Sequence, residues 1–92
     1  MHIKILTAGG SIDKVYSTSQ SDFVVGLPQI ERILREGNVT IDFDVEPLLR
    51  KDSLDMTPDD RETIVERARA TPHRHIVITH GTDTMIDTAL AL

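Results

Sequence analysis

The chain has 92 residues, a formal net charge of -5 and no cysteine, which bounds it to one small domain without disulfide or thiolate chemistry and fits a cytoplasmic protein. The acidic residues are spread along it, which excludes the basic stripe of a nucleic-acid binder and the basic helix of a membrane-surface protein. No apolar run approaches the ~20 residues of a membrane-spanning helix.

Residues 2–7 read as a buried strand, since Ile3, Ile5 and Leu6 are apolar and the pair Gly9-Gly10 follows. Residues 13–26 are polar, close on Gly26 and read as a long loop or loose hairpin able to cover a site. Pro28 suits the first position of a helix carrying Ile30, Ile33 and Leu34 and ending at Gly37. From Val39 to Glu46 apolar and polar residues alternate, the pattern of a half-exposed edge strand that Pro47 ends. Thr57 is a natural N-cap, followed by Pro58, Asp59 and Asp60; its helix reaches about Ala70, buries Ile64, Val65 and Ala68, and is stopped by Pro72. Arg74 to Thr79 forms the third strand. From Asp83 onward Met85, Ile86, Ala89 and Leu90 mark one apolar face of a helix with no stop signal, so the domain is expected to continue beyond Leu92.

Strands alternating with helices give an α/β fold: a doubly wound, mostly parallel, flavodoxin-like sheet with flanking helices and right-handed crossovers. The edge character of the second strand sets the order 2-1-3, with a ligand site where strands one and three diverge.

Three segments carry the chemistry. In the first, Ser11 follows Gly9-Gly10 at a strand end, where it is either a nucleophile beside oxyanion-holding N–H groups or the cap of the next element. This is neither a dinucleotide-binding glycine fingerprint nor a phosphate-binding loop. The second is His80-Gly81-Thr82-Asp83-Thr84, where Thr82 projects from the third strand's tip and Asp83 begins the next helix; Asp83 could orient a base for a hydroxyl, or both could simply cap. Both hydroxyls converge on one crevice, which favours the functional reading. In the third, Lys51-Asp52-Ser53-Leu54-Asp55-Met56, Ser53 could donate to a carboxylate with Asp55 structuring the loop, or the segment is a turn feeding Thr57.

Elsewhere the signals are structural. His73 and His75 are spaced to share one face of a strand, but no third metal ligand is apparent, so no metal is expected. His80 reads as a support for its turn, and Asp42, Asp44 and Glu46 as the solvated face of an edge strand. Tyr16 and Phe23 lie in the long loop, where an aromatic can close over a ligand.

Together these segments resemble the bacterial-type L-asparaginase family. Leu6-Thr7-Ala8-Gly9-Gly10-Ser11-Ile12 is similar to its first signature, usually T-G-G-T-I. Ile76 to Met85 matches the second almost letter for letter, and Ser53-Leu54-Asp55-Met56 lies where that family has an S-x-D-M loop. The resemblance implies hydrolysis of a side-chain carboxamide, of L-asparagine or a related small amide, to a carboxylate and ammonia, with no cofactor. It places the primary nucleophile on Ser11 and a second hydroxyl centre on Thr82. It gives Asp83 the substrate α-amino group and Ser53 the α-carboxylate, with Gly10, Leu54, Asp55 and Gly81 lining the substrate site. Phe23 or Tyr16 takes the place of the family's loop tyrosine. Residues 1–92 then form the N-terminal part of a single asparaginase-like α/β domain, and by themselves are expected to be inactive or incomplete as an enzyme.

The sequence departs from the pattern in Ser11 for threonine, in Ala8 before the glycines, and in Leu54 where glutamine is common; Leu54 removes a polar contact to the substrate's amino end. The family's catalytic lysine lies on an element beyond the third helix, and its C-terminal domain helps complete the site across a subunit interface, so a homo-oligomer is implied. The alternative is a non-catalytic module that binds a small molecule such as an amino acid and keeps the pocket without turnover.

Overall fold

A computed structural model describes all 92 residues. Its centre is β1 (His2–Gly9), flanked by β4 (Asp42–Lys51) on one side and β5 (His75–Thr79) on the other, both parallel to it. This is the expected mostly parallel α/β sheet, with the expected order. The helices are α1 (Ile30–Glu36), α2 (Pro58–Ala70) and α3 (Met85–Ala91). Segment 13–26 is ordered as a hairpin rather than a loop: β2 (Lys14–Ser17) pairs antiparallel with β3 (Asp22–Val25), outside the main sheet.

A middle strand between two partners is covered on both edges and both faces, so the apolar run of β1 becomes the most buried part of the chain, with Leu6, Thr7 and Ala8 at 0% exposure. On one face Ala8, Met56 and Ile64 form the core, with Leu48, Leu49 and Ile78 packed on it. On the other face α1 covers Ile3, Ile5 and Phe43, leaving an apolar gap of about 120 Å³ beneath Leu34.

The helix that follows Thr57 folds as its sequence dictates. Thr57 Oγ1 accepts from the Asp60 N–H at 3.1 Å, and Asp60 Oδ2 accepts from the Thr57 N–H at 2.9 Å, so each satisfies an orphan donor of the other. Lys51 Nζ joins the same carboxylate at 2.8 Å. Lys51 and the Thr57 N–H hold the Asp60 carboxyl below the usual range. Ile64 and Val65 face the sheet and are buried.

Several expectations change. The second strand does not stop at Pro47; it starts later, at Asp42, and continues to Lys51. As an edge strand it has one side without backbone partners, where the missing N–H of proline is tolerated. The acidic stripe is not simply solvated. Lys4 Nζ lies 2.6 Å from Asp44 and 3.1 Å from Glu46, and Arg67 reaches back from α2 to Glu46 at 2.6 Å. Arg67 and then Lys4 hold the Glu46 carboxyl down at about 2; His2 and then Lys4 do the same for Asp44, also about 2. Lys4 is in turn raised, chiefly by Asp44. The third helix begins at Met85 rather than Asp83, and the face marked by Met85, Ile86, Ala89 and Leu90 is exposed, while Thr88 turns inward. His73 lies in the loop before β5, not on the strand with His75. Pro28 precedes its helix by two residues, Gln29 standing at the cap.

Candidate functional site

The site is built at the carboxyl ends of β1, β4 and β5. Gly9 and Gly10 both have φ of +92°, and Gly10 has ψ of -175°, a conformation open essentially only to glycine. The turn lets the Gly10 N–H donate to the Lys51 carbonyl at 3.0 Å, tying β1 to the end of β4. It also sets the backbone of Gly10 directly on that of Gly81. A Cβ on Gly10 would lie 2.6 Å from the Gly81 nitrogen, and one on Gly81 would lie 2.9 Å from Ser53 Oγ. The three motifs distant in sequence therefore touch through atoms that no side chain separates.

Ser11 and Thr82 are the residues that follow Gly10 and Gly81, and both are exposed, as is Asp83. Two hydroxyls and a carboxylate thus stand open to solvent beside a fixed backbone junction. Ser53 differs: it is fully buried, its Oγ accepts from the Thr84 N–H at 3.4 Å and its carbonyl accepts from Thr84 Oγ1 at 2.8 Å. Leu54 and Asp55 turn outward, Leu54 at 73% exposure. Tyr16 and Phe23 are register partners in the hairpin, with rings packed edge to face 5.4 Å apart and both exposed.

Three residues that hold the site were not singled out from the sequence. Asp13, 1% exposed, accepts from the Gln29 N–H at 2.9 Å through Oδ1, and its carbonyl takes the Gly26 N–H at 2.8 Å. It pins both ends of the hairpin next to the glycine turn; an acidic residue two positions past a Gly-Gly-Ser turn is the available signal. Thr84, the last hydroxyl of its motif, clamps the Ser53 loop. Thr88, from the inward face of α3, meets His80 Nε2 at 2.8 Å. The other ring nitrogen of His80, Nδ1, faces the Gly81 carbonyl, so it is the donor and Nε2 the acceptor of the Thr88 hydroxyl. His80 supports the turn, as its position in the sequence suggested. Near the site Lys14 pairs with Asp52 at 3.2 Å and Lys51 with Asp60 at 2.8 Å.

No curated protein matches the chain in sequence. A family model, the N-terminal domain of asparaginase, matches residues 2–92. Among solved structures, the thermostable L-asparaginase from Thermococcus kodakarensis superposes with a TM-score of 0.79 at 25% identity, over 97% of this chain and 28% of that one. L-asparaginase I from Vibrio cholerae gives 0.75 at 31% identity, over 96% and 28%. A probable cytoplasmic L-asparaginase from Campylobacter jejuni gives 0.70 at 26% identity, over 96% and 29%. The chain thus spans between a quarter and a third of the length of these structures. No helix is long and apolar enough to cross a membrane.

Proposed function

The chain belongs to the asparaginase family as its N-terminal domain, and on that premise we propose that the protein is an asparaginase-type amidohydrolase. It hydrolyses the side-chain carboxamide of L-asparagine or a related small amide to a carboxylate and ammonia. The observation that carries this is the junction of Gly10, Gly81 and Ser53, which brings two exposed hydroxyl residues and Asp83 to the same sheet ends.

In this reading Ser11 Oγ attacks the carboxamide carbon and its proton passes to the leaving nitrogen, which departs as ammonia. Backbone N–H groups of the turn hold the oxyanion. Water then attacks the acyl–serine ester, freeing the carboxylate and returning the proton to Ser11. Thr82 and Asp83 take part in these proton movements, and Asp83 also binds the substrate's α-amino group. Ser53 is buried and engaged by Thr84, so its contribution to the α-carboxylate runs through the loop it anchors, whereas Leu54 and Asp55 face outward. The hairpin brings Tyr16 or Phe23 over the substrate. We place the protein in the cytoplasm, a reading supported by its similarity to the Campylobacter neighbour named a probable cytoplasmic L-asparaginase, and take it to act as a homo-oligomer.

The test is ammonia release from asparagine and glutamine. The full-length protein, with the element that supplies the family's lysine, should produce it, and Ser11→Ala in that protein should lose about 10³-fold or more. Undiminished activity in Ser11→Ala sinks the nucleophile assignment. Calorimetric binding of asparagine without any ammonia favours a binding module instead.

A further inference from the structure

At the amino-terminal edge of the sheet, about 23 Å along β1 from the glycine turn, three side chains from separate elements meet: His2 of β1, Asp44 of β4 and His73 of the loop before β5. One ligand-type atom from each lies within 4.8 Å of the others, and all three residues are half-buried. We propose that His2, Asp44 and His73 form a zinc site that staples this edge of the sheet, separate from the amide-hydrolysing end.

Several observations point the same way. The rings of His2 and His73 are stacked, with centroids 4.2 Å apart and planes at 27°, so two imidazoles present their edges side by side next to one carboxylate. Two histidines and a carboxylate are a donor set suited to zinc, with the fourth position left to water. Asp44 is already oriented to bind a metal, because Lys4 Nζ holds Oδ2 at 2.6 Å and leaves Oδ1 for the histidine side. Such an outer partner fixes the direction of a metal-binding carboxylate. The backbone of His73 is held as well, because Pro72 precedes it and its backbone N–H donates to Thr71 Oγ1 at 3.3 Å.

The spacing also defines what zinc must do. Zinc–nitrogen and zinc–oxygen bonds of about 2.1 Å put tetrahedral ligands about 3.4 Å apart. His2 Nε2 and Asp44 Oδ1 stand at 2.5 Å, so the metal enters by displacing the hydrogen bond between them, with His2 coordinating through Nε2 as the neutral imidazole, and the pair opens by rotation of half-exposed side chains. Lys4 and Arg67 balance Asp44 and Glu46 in charge, so no surplus of negative charge drives affinity, and binding in the micromolar range is expected rather than tighter. Zinc bound only to the folded protein raises its melting temperature as its concentration exceeds Kd.

The experiment titrates the untagged full chain with zinc by calorimetry, with cobalt as a spectroscopic stand-in. The expected result is one equivalent bound with Kd of about 1 μM to ~10 μM and a visible cobalt band. Affinity should fall at least about tenfold in His73→Ala and in Asp44→Asn, and hold in His75→Ala, whose exposed ring lies outside the cluster. Unchanged affinity in His73→Ala, or no binding tighter than about 1 mM, overturns the site. Should a variant fail to fold, NMR of the wild-type imidazoles decides. Zinc should shift the resonances of His2 and His73 and leave those of His75 and His80; movement of the latter pair instead overturns it.

Discussion

Gly10 and Gly81 meet backbone to backbone: a Cβ on Gly10 would stand 2.6 Å from the Gly81 nitrogen. That contact, between residues 71 positions apart in the chain, explains why each signature holds glycine just before its hydroxyl. Gly10→Ala meets both the clash and a φ of +92°, with a strain cost of about 1–3 kcal/mol before any displacement of β5. The variant is expected to unfold at clearly lower urea and to lose ammonia release. Ser11→Ala, at an exposed position, should keep wild-type stability to within about 0.5 kcal/mol while losing the activity. Equal urea midpoints for Gly10→Ala and wild type would contradict the close approach.

Thr84 links the second signature to the Ser53 loop, donating through Oγ1 to the Ser53 carbonyl at 2.8 Å. Thr84→Val keeps the shape and removes the donor, leaving a buried carbonyl without its partner at a cost of about 1–3 kcal/mol. The loop that carries Leu54 and Asp55 loosens, so KM is expected to rise more than kcat falls, and Thr84→Ser should restore both. Steady-state kinetics on the three proteins checks this; a fall in kcat alone would place Thr84 in the chemistry instead.

The parts legible in the sequence were those set by local rules. The Thr57–Asp60 box, the Gly37 stop and the apolar run of β1 each follow from a few neighbouring residues, the parallel sheet follows from the alternation of strands and helices, and its order from the edge pattern of the second strand. Elements decided by tertiary contact were harder to read. Pro47 breaks a strand by local preference, but the edge position of β4 tolerates it. Asp44 and Glu46 look like a solvated stripe until Lys4 and Arg67, from two other elements, close over them. The motif glycines and hydroxyls were visible as letters, yet the inward turn of Ser53 and its clamp by Thr84 depend on how three strand ends stack, which no window of sequence contains.

Asp60 gives α2 an acid sensitivity. Lys51 and the Thr57 N–H stabilise its charged form, so its folded pKa lies below the unfolded value of about 3.9. A lowered carboxyl contributes stability above the unfolded value and loses it as pH falls through the folded one. Wild type should therefore weaken below about pH 4, with the start of α2 loosening. Asp60→Asn starts less stable at neutral pH and should show a flatter acid limb, since it has no proton to take up. Urea midpoints from pH 7 down to about 3 test the sign; parallel curves for the two proteins would remove Asp60 from the acid response.

Ile64 is the point where the small core is most exposed to mutation. It is fully buried against Ala8 and Met56, and only six hydrophobic residues are buried in the whole chain. Ile64→Ala leaves a cavity that costs about 2–5 kcal/mol, a large part of the stability available to a domain of this size. The expected outcome is a largely unfolded protein by far-UV circular dichroism, or a urea midpoint near zero. Leu90→Ala removes a side chain as large from a residue at 81% exposure and should change stability by no more than about 0.5 kcal/mol. The contrast between two aliphatic truncations, one on the buried face of α2 and one on the open face of α3, isolates burial as the cause, because hydrophobicity and size are nearly matched.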